Sequence, residues 1–224
     1  MAKPKRIDIG GYVYHVMNRA NGRLRIFKTP KDFEAFERIL AEGLERVEMR
    51  ICGYCIMGNH WHLLLWPKKD GDLSQYMHWV SLTHTQRFHT AHDTIGMGHL
   101  YRGRYKSFPV QDDLYYLTVL RYIEANPLRA KIVESAANWP WSSYAVRQLS
   151  LEKPFPLDPG PVRLPGNWSE MLDTISQQEK QQIVNSITRG APFGSPAWTR
   201  QTADALSLQS TLKPLGRPRR LGKP

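Results

Sequence analysis

Ile51-Cys52-Gly53-Tyr54-Cys55-Ile56-Met57-Gly58-Asn59-His60-Trp61-His62-Leu63-Leu64-Leu65-Trp66-Pro67 is two apolar runs broken at Gly58-Asn59. Short runs bounded by turn residues read as strands, and a two-residue break between them predicts an antiparallel hairpin, closed by Pro67. Side chains two apart on a strand share a face. His60 and His62 therefore present their imidazoles side by side, while Trp61 points the other way. Such a pair suits one metal ion or one phosphate, and leaving both rings buried and unsatisfied costs about 2 kcal/mol or more. A structural or surface role for the pair is the competing reading. The same alternation puts Cys52 and Cys55 on opposite faces, which makes them core thiols and not a redox couple or a zinc half-site.

Working outward, Tyr12 to Met17 is aromatic and β-branched and predicts a strand, with Asn18 to Arg23 as a turn and a brief strand resuming at Leu24 to Phe27. From Asp32 to Arg50, started at Thr29-Pro30, the apolar positions Phe33, Phe36, Ile39, Leu40, Leu44 and Val47 recur at helical spacing. Leu73 to His89 predicts a second helix, Arg102 to Val110 a polar, glycine-interrupted strand, and Asp112 to Glu124 a third helix that Asn126-Pro127 ends. The predicted fold is α+β: a ferredoxin-like split βαβ arrangement, an antiparallel sheet with helices on one face. After Gln148, prolines at 154, 156, 159, 161 and 165 predict a linker. The predicted division is residues 1–150 as the main domain and 151–224 as a small helical and irregular appendage, with helices within Glu170 to Thr188 and Pro196 to Leu206.

The 224 residues suffice for one domain with a real core, and two cysteines exclude a disulfide scaffold. No signal sequence or membrane-spanning run is evident, so a soluble cytoplasmic protein is expected. The net charge of +11 points to a polyanion such as nucleic acid. Residues 1–150 carry 21 Lys and Arg against 14 Asp and Glu, and residues 151–224 ten against six, so both parts are basic.

Tyr122-Ile123-Glu124-Ala125-Asn126 supplies what the histidine pair lacks. Positions i and i+4 share a helix face, which lets the Tyr122 hydroxyl and the Asn126 carboxamide approach one ion. A divalent cation held by two imidazoles and an oxygen polarises a phosphoryl oxygen. Tyr122 then attacks phosphorus and expels a 3′ hydroxyl, and a covalent phosphotyrosine conserves the bond energy for rejoining. The bland alternative is that Tyr122 packs and Asn126 caps the helix before Pro127. Tyr115 is a rival nucleophile on nearly the same face, Tyr116 a weaker one, and Glu124 reads as a helix-surface ion pair.

Four segments carry a family resemblance: Tyr54 to Leu65, Arg102-Gly103-Arg104-Tyr105-Lys106-Ser107, Leu120 to Ala130, and Trp139-Pro140-Trp141-Ser142-Ser143-Tyr144. Together, over residues 8 to 148, they resemble the REP-associated tyrosine transposases, relatives of the insertion-sequence single-strand transposases in the histidine-hydrophobic-histidine nuclease superfamily. The resemblance implies a bacterial, nucleoid-associated enzyme that cleaves single-stranded DNA beside palindromic hairpins. It further implies Mg²⁺ or Mn²⁺ at His60 and His62, Asn126 near or on the metal, and Tyr122 as nucleophile. It favours a monomer with a self-contained site and leaves a dimer open.

For DNA contacts, alternation predicts Arg102, Arg104 and Lys106 on one face of a strand, and the resemblance puts that strand close to the active site. Arg19 and Arg23, with Arg25, suit a hairpin's foot or stem, as do Lys68 and Lys69. Trp139, Trp141 and Tyr144 read as core in preference to base-stacking platforms. Gly216-Arg217-Pro218-Arg219-Arg220 resembles an AT-hook core, whose arginines enter a narrow minor groove. Two other functions fit the same residues: a catalytically silent regulator that binds hairpin DNA or RNA, and a metal-dependent nuclease in which water attacks.

Overall fold

The hairpin forms, with β2 (Met49–Met57) and β3 (His60–Pro67) antiparallel and Met57 opposite His60. This computed structural model describes residues 7–172 and 174–213. Among them β1 (Val13–Arg19) pairs with β3 on one side and β4 (Lys106–Val110) on the other, giving an antiparallel sheet in the order β2-β3-β1-β4. The helices α1 (Pro30–Leu44) and α2 (Asp72–Ala91) make the crossovers of a split βαβ unit. Phe33, Phe36, Ile39 and Leu40 of α1 and Leu73, Tyr76, Met77 and Val80 of α2 pack with Tyr14, Val16, Trp61, Leu63 and Leu65 on one face of the sheet.

The other face is covered too. The helices α3 (Leu114–Glu124), α4 (Asn126–Arg129) and α5 (Ser143–Leu149) follow β4, and then α6 (Trp168–Met171), α7 (Gln177–Arg189), α8 (Pro196–Ala205) and α9 (Gln209–Leu212). Leu117, Leu120 and Ile123 of α3 join Val13, Leu64, Phe108 and Val110, and Trp168, Leu172, Ile175, Ile183 and Phe193 extend the same cluster. Trp139 and Trp141 sit against the core, with the Trp141 ring stacked 4.8 Å from that of Phe33, and Tyr144 is buried.

Four local expectations are corrected. The first helix starts at Pro30, with Asp32 accepting from the Thr29 amide at 2.8 Å, but ends at Leu44, because Met49 and Arg50 pair with Pro67 and Trp66 of β3. No strand resumes at Leu24 to Phe27: the amides of Ile26 and Phe27 both donate to the Gly58 carbonyl, at 2.9 and 3.0 Å, which leaves no ladder. The last strand begins only at Lys106. Before it the chain is held irregularly, the Arg102 amide donating to Arg19 O at 3.0 Å and Asn18 Nδ2 to Gly103 O at 3.2 Å. Cys52 and Cys55 share a face after all, since a bulge between Ile51 and Gly53 resets the alternation; both are buried free thiols among the α3 contacts.

Candidate active site

Strand register sets one wall of the site. His62 lies opposite Met17, His60 opposite Arg19, and Met17 opposite Lys106. Trp61 is fully buried on the reverse face, where its Nε1 donates to the Tyr101 hydroxyl at 2.9 Å. The second wall is helical. Asp113 caps α3 by accepting from the Tyr115 amide at 2.8 Å, and α3 carries Tyr122 over the histidines, its ring centroid 5.8 Å from that of His62 and nearly perpendicular at 88°. Asn126 follows one turn later at the start of α4. A cleft of about 580 Å³ is lined by His60, His62, Tyr122 and Asn126 together with Arg19, Arg102, Arg104 and Lys106.

Burial controls the protonation of this cleft. It pushes His60 down to about 4, with Arg19 adding to the effect, and holds His62 well below the ordinary histidine value, helped by the neighbouring imidazoles. Both rings are therefore neutral at pH 7 and have lone pairs to offer. Burial raises the Tyr122 hydroxyl above the usual phenol value, while the charges of Arg129 and Arg19 pull it back. The Arg129 guanidinium lies 4.5 Å from the centre of the Tyr122 ring, and its Nη2 donates to the Tyr122 carbonyl at 2.6 Å.

His15 and Arg129 escape the sequence reading. His15 is fully buried, its Nε2 2.8 Å from His62 Nδ1. Alternation along β1 places it on the face opposite Tyr14 and Val16, but only the register of β1 on β3 reveals the diagonal contact. Arg129 sits seven residues after Tyr122, two helical turns on, a spacing that could have flagged it. Glu124 is not on the surface. It is fully buried, ion-paired with Arg147, and its Oε2 accepts from Trp168 Nε1 at 2.8 Å.

The donor set suits a divalent cation. Among the described residues no three His, Cys, Asp or Glu side chains group as a metal site, so a third ligand beside the two imidazoles must come from another residue type. Asn59 Nδ2 donates to Arg23 O at 3.4 Å, which leaves Oδ1 to accept from His60 Nδ1 at 2.7 Å and frees His60 Nε2. The His15 contact likewise occupies His62 Nδ1 and leaves Nε2. Asn126 uses its Nδ2 on the carbonyls of Tyr122 and Ile123, at 3.1 and 3.3 Å, leaving Oδ1 as acceptor. Two imidazole nitrogens and one amide oxygen result, each backed by a hydrogen bond at its other end.

Other residues fall as follows. Arg102, Arg104 and Lys106 reach the cleft together, the first two from the irregular segment and not by strand alternation. Arg23 is exposed at a 3₁₀ turn and does not line it. Tyr115 packs on Phe193, ring centroids 5.4 Å apart, and Tyr116 is buried, so neither competes with Tyr122 for the cleft. Arg217, Arg219 and Arg220 lie outside the described residues. No helix among those described is long and apolar enough to cross a membrane.

Residues 9–126 match a family model described as IS200-like transposase. No curated protein matches the chain. Among solved structures, a REP-associated tyrosine transposase bound to a REP hairpin aligns with a TM-score of 0.55 and 16% identity, covering 74% of this chain and all of that one (100%). Another, from Deinococcus radiodurans R1 and provisionally assigned as a transposase, aligns with a TM-score of 0.41 and 17% identity over 55% of this chain and 96% of its own.

Proposed function

Because this chain belongs to the family of IS200-like transposases, we propose that it cuts and rejoins single-stranded DNA beside palindromic hairpins through a covalent 5′-phosphotyrosine at Tyr122. The observation that carries the reading is the placement of the Tyr122 ring 5.8 Å from His62 across a cleft rimmed by Arg19, Arg102, Arg104 and Lys106. The hairpin-bound neighbour supports hairpin DNA as the partner. The reacting unit is residues 1–150, with α6 to α9 built onto it, and one chain holds every group needed, which favours a monomer.

In this mechanism the cationic rim neutralises the DNA backbone and orients the scissile phosphate toward α3. His60, His62 and Asn126 would hold Mg²⁺ or Mn²⁺, which supplies Lewis-acid charge to the phosphoryl group when bound. Arg129 fixes the Tyr122 ring and favours loss of its proton. The Tyr122 oxygen forms a bond to phosphorus, the bond from phosphorus to the 3′ oxygen breaks, and that oxygen leaves protonated. Attack by another 3′ hydroxyl reverses the step. The test is to incubate end-labelled single-stranded palindromes with Mn²⁺ and run a denaturing gel. A protein-linked band whose peptide map contains Tyr122 is expected. Cleavage without any adduct would mean that water is the nucleophile, and binding without cleavage would leave a regulator.

His15 acts here as a positioning residue. For His62 Nε2 to carry a lone pair, Nδ1 must hold the proton and donate it to His15 Nε2. His15→Phe removes that acceptor and is expected to weaken Mn²⁺ binding by about 10 to 100-fold in a titration followed by electron paramagnetic resonance. His15→Gln, which keeps an acceptor oxygen, should recover most of it. Equal losses in the two variants would reduce His15 to packing.

A further inference from the structure

The cleft has an unexpected fourth side. Besides the cationic rim, the histidines and the nucleophile helix, it is lined by Val184 and Ile187 of α7, from the segment beyond the proline run. That helix is polar over most of its length, with Gln177, Gln178, Glu179, Lys180, Gln181 and Gln182 in its first half. Ile183 is fully buried in the core behind it and accounts for how α7 is held, but Val184 is 41% exposed and contributes little to that core. Ile187 packs partly against that core, and Val184 beside it is left open to water, so the two form an apolar strip facing the cationic rim across the cleft.

The helix is fixed and cannot act as a free lid. At its start, Arg121 of α3 bonds Glu179 Oε1 at 3.0 Å and Thr174 Oγ1 at 2.9 Å. Past its end, Phe193 is sewn to the edge of β4, donating to Pro109 O and accepting from the Gln111 amide, both at 2.9 Å. Between these two anchors Val184 and Ile187 stand at a constant place relative to Tyr122.

We propose that α7 is the base-facing wall of the cleft, where Val184 and Ile187 take the flat face of an unpaired nucleotide next to the phosphate presented to Tyr122. This rests on the single-stranded DNA reading above and names the part of the substrate that the apolar side would take. Charge complementarity selects this occupant: the rim takes the phosphates, and a base is the apolar group that single-stranded DNA exposes beside them. Duplex DNA, its bases stacked inward, offers nothing to this wall.

The test uses the full chain carrying Tyr122→Phe, so that binding is read without cleavage. A labelled hairpin oligonucleotide with a single-stranded extension is titrated in Mn²⁺ by fluorescence anisotropy, with an abasic site moved along the extension one position at a time. With Val184 intact, one or two adjacent positions are expected to show about fivefold weaker binding when abasic. Val184→Ser should bind the intact oligonucleotide about fivefold more weakly and lose the abasic penalty at that position, whereas Val184→Leu keeps both. The same penalty in Val184→Ser as in its parent, or no sensitive position at all, overturns the wall while leaving the hairpin reading standing. Absence of any hairpin binding sinks the DNA reading itself, and the wall with it.

Discussion

Tyr122→Phe is expected to lower strand cleavage by about 10⁴-fold or more and to erase the protein-linked DNA band, while hairpin binding stays within a few fold. The size follows from the proposed role as nucleophile. A nucleophile that makes a covalent bond has no partial substitute: Tyr115 is held against Phe193 and Tyr116 is buried among core residues, so neither hydroxyl can replace it. The selectivity follows from geometry. The phenyl ring keeps its edge contact with His62 and its place beside Arg129, and the cationic rim is untouched. Cleavage rates on a denaturing gel, beside anisotropy titrations of the same oligonucleotide, separate the two effects. Cleavage that persists in the variant would transfer the attack to water.

The second large effect is on stability below neutral pH. His15 and His84, both pushed down to about 3, His60, pushed down to about 4, and His62, also well below its ordinary value, are held neutral by burial in the fold. Their unfolded value is near 6.5. Between the depressed and ordinary values the unfolded chain binds protons that the folded chain refuses, so stability is full above about pH 6.5 and falls as pH drops. Each group contributes up to about 1.4 kcal/mol per pH unit, and the four together between about 5 and 6, against a typical total of 5 to 15 kcal/mol. Glu37, raised by burial, works in the opposite direction, but it is a single group that also pairs with Lys153. Urea midpoints measured from pH 7.5 to 5 should therefore fall steeply below pH 6.5. His84 accepts from the Tyr101 hydroxyl at 2.6 Å, a bond that glutamine can replace, so His84→Gln should flatten the slope by about a quarter. A midpoint indifferent to pH over this range would contradict the burial argument.

Local pattern carried much of the architecture. The hairpin, both crossover helices and the helix of Tyr122 follow from alternation, helical spacing and punctuation by Gly58-Asn59 and Pro127. What local pattern could not supply were contacts made by distant pairing. Met49 and Arg50 continue a helical pattern by composition but are claimed by β3. The bulge at Cys52 is invisible until Gly53 is found opposite Leu64. In the candidate site, the spacing of His60 and His62 and of Tyr122 and Asn126 anticipated which side chains meet. His15 required knowing that β1 lies beside β3. Val184 required knowing that a helix beyond residue 170 folds back over the sheet.

Glu124 and Arg121 give the helix of Tyr122 an unusual dependence. Trp168 satisfies one carboxylate oxygen of Glu124, and Glu179 and Thr174 hold the guanidinium of Arg121. The aim of the phenol is thus inherited from residues some fifty positions downstream. Losing that C-terminal stretch would strand the buried Arg121 guanidinium and leave one Glu124 oxygen without its donor, with Arg147 still pairing the carboxylate, so the cost would fall on the helix that carries Tyr122.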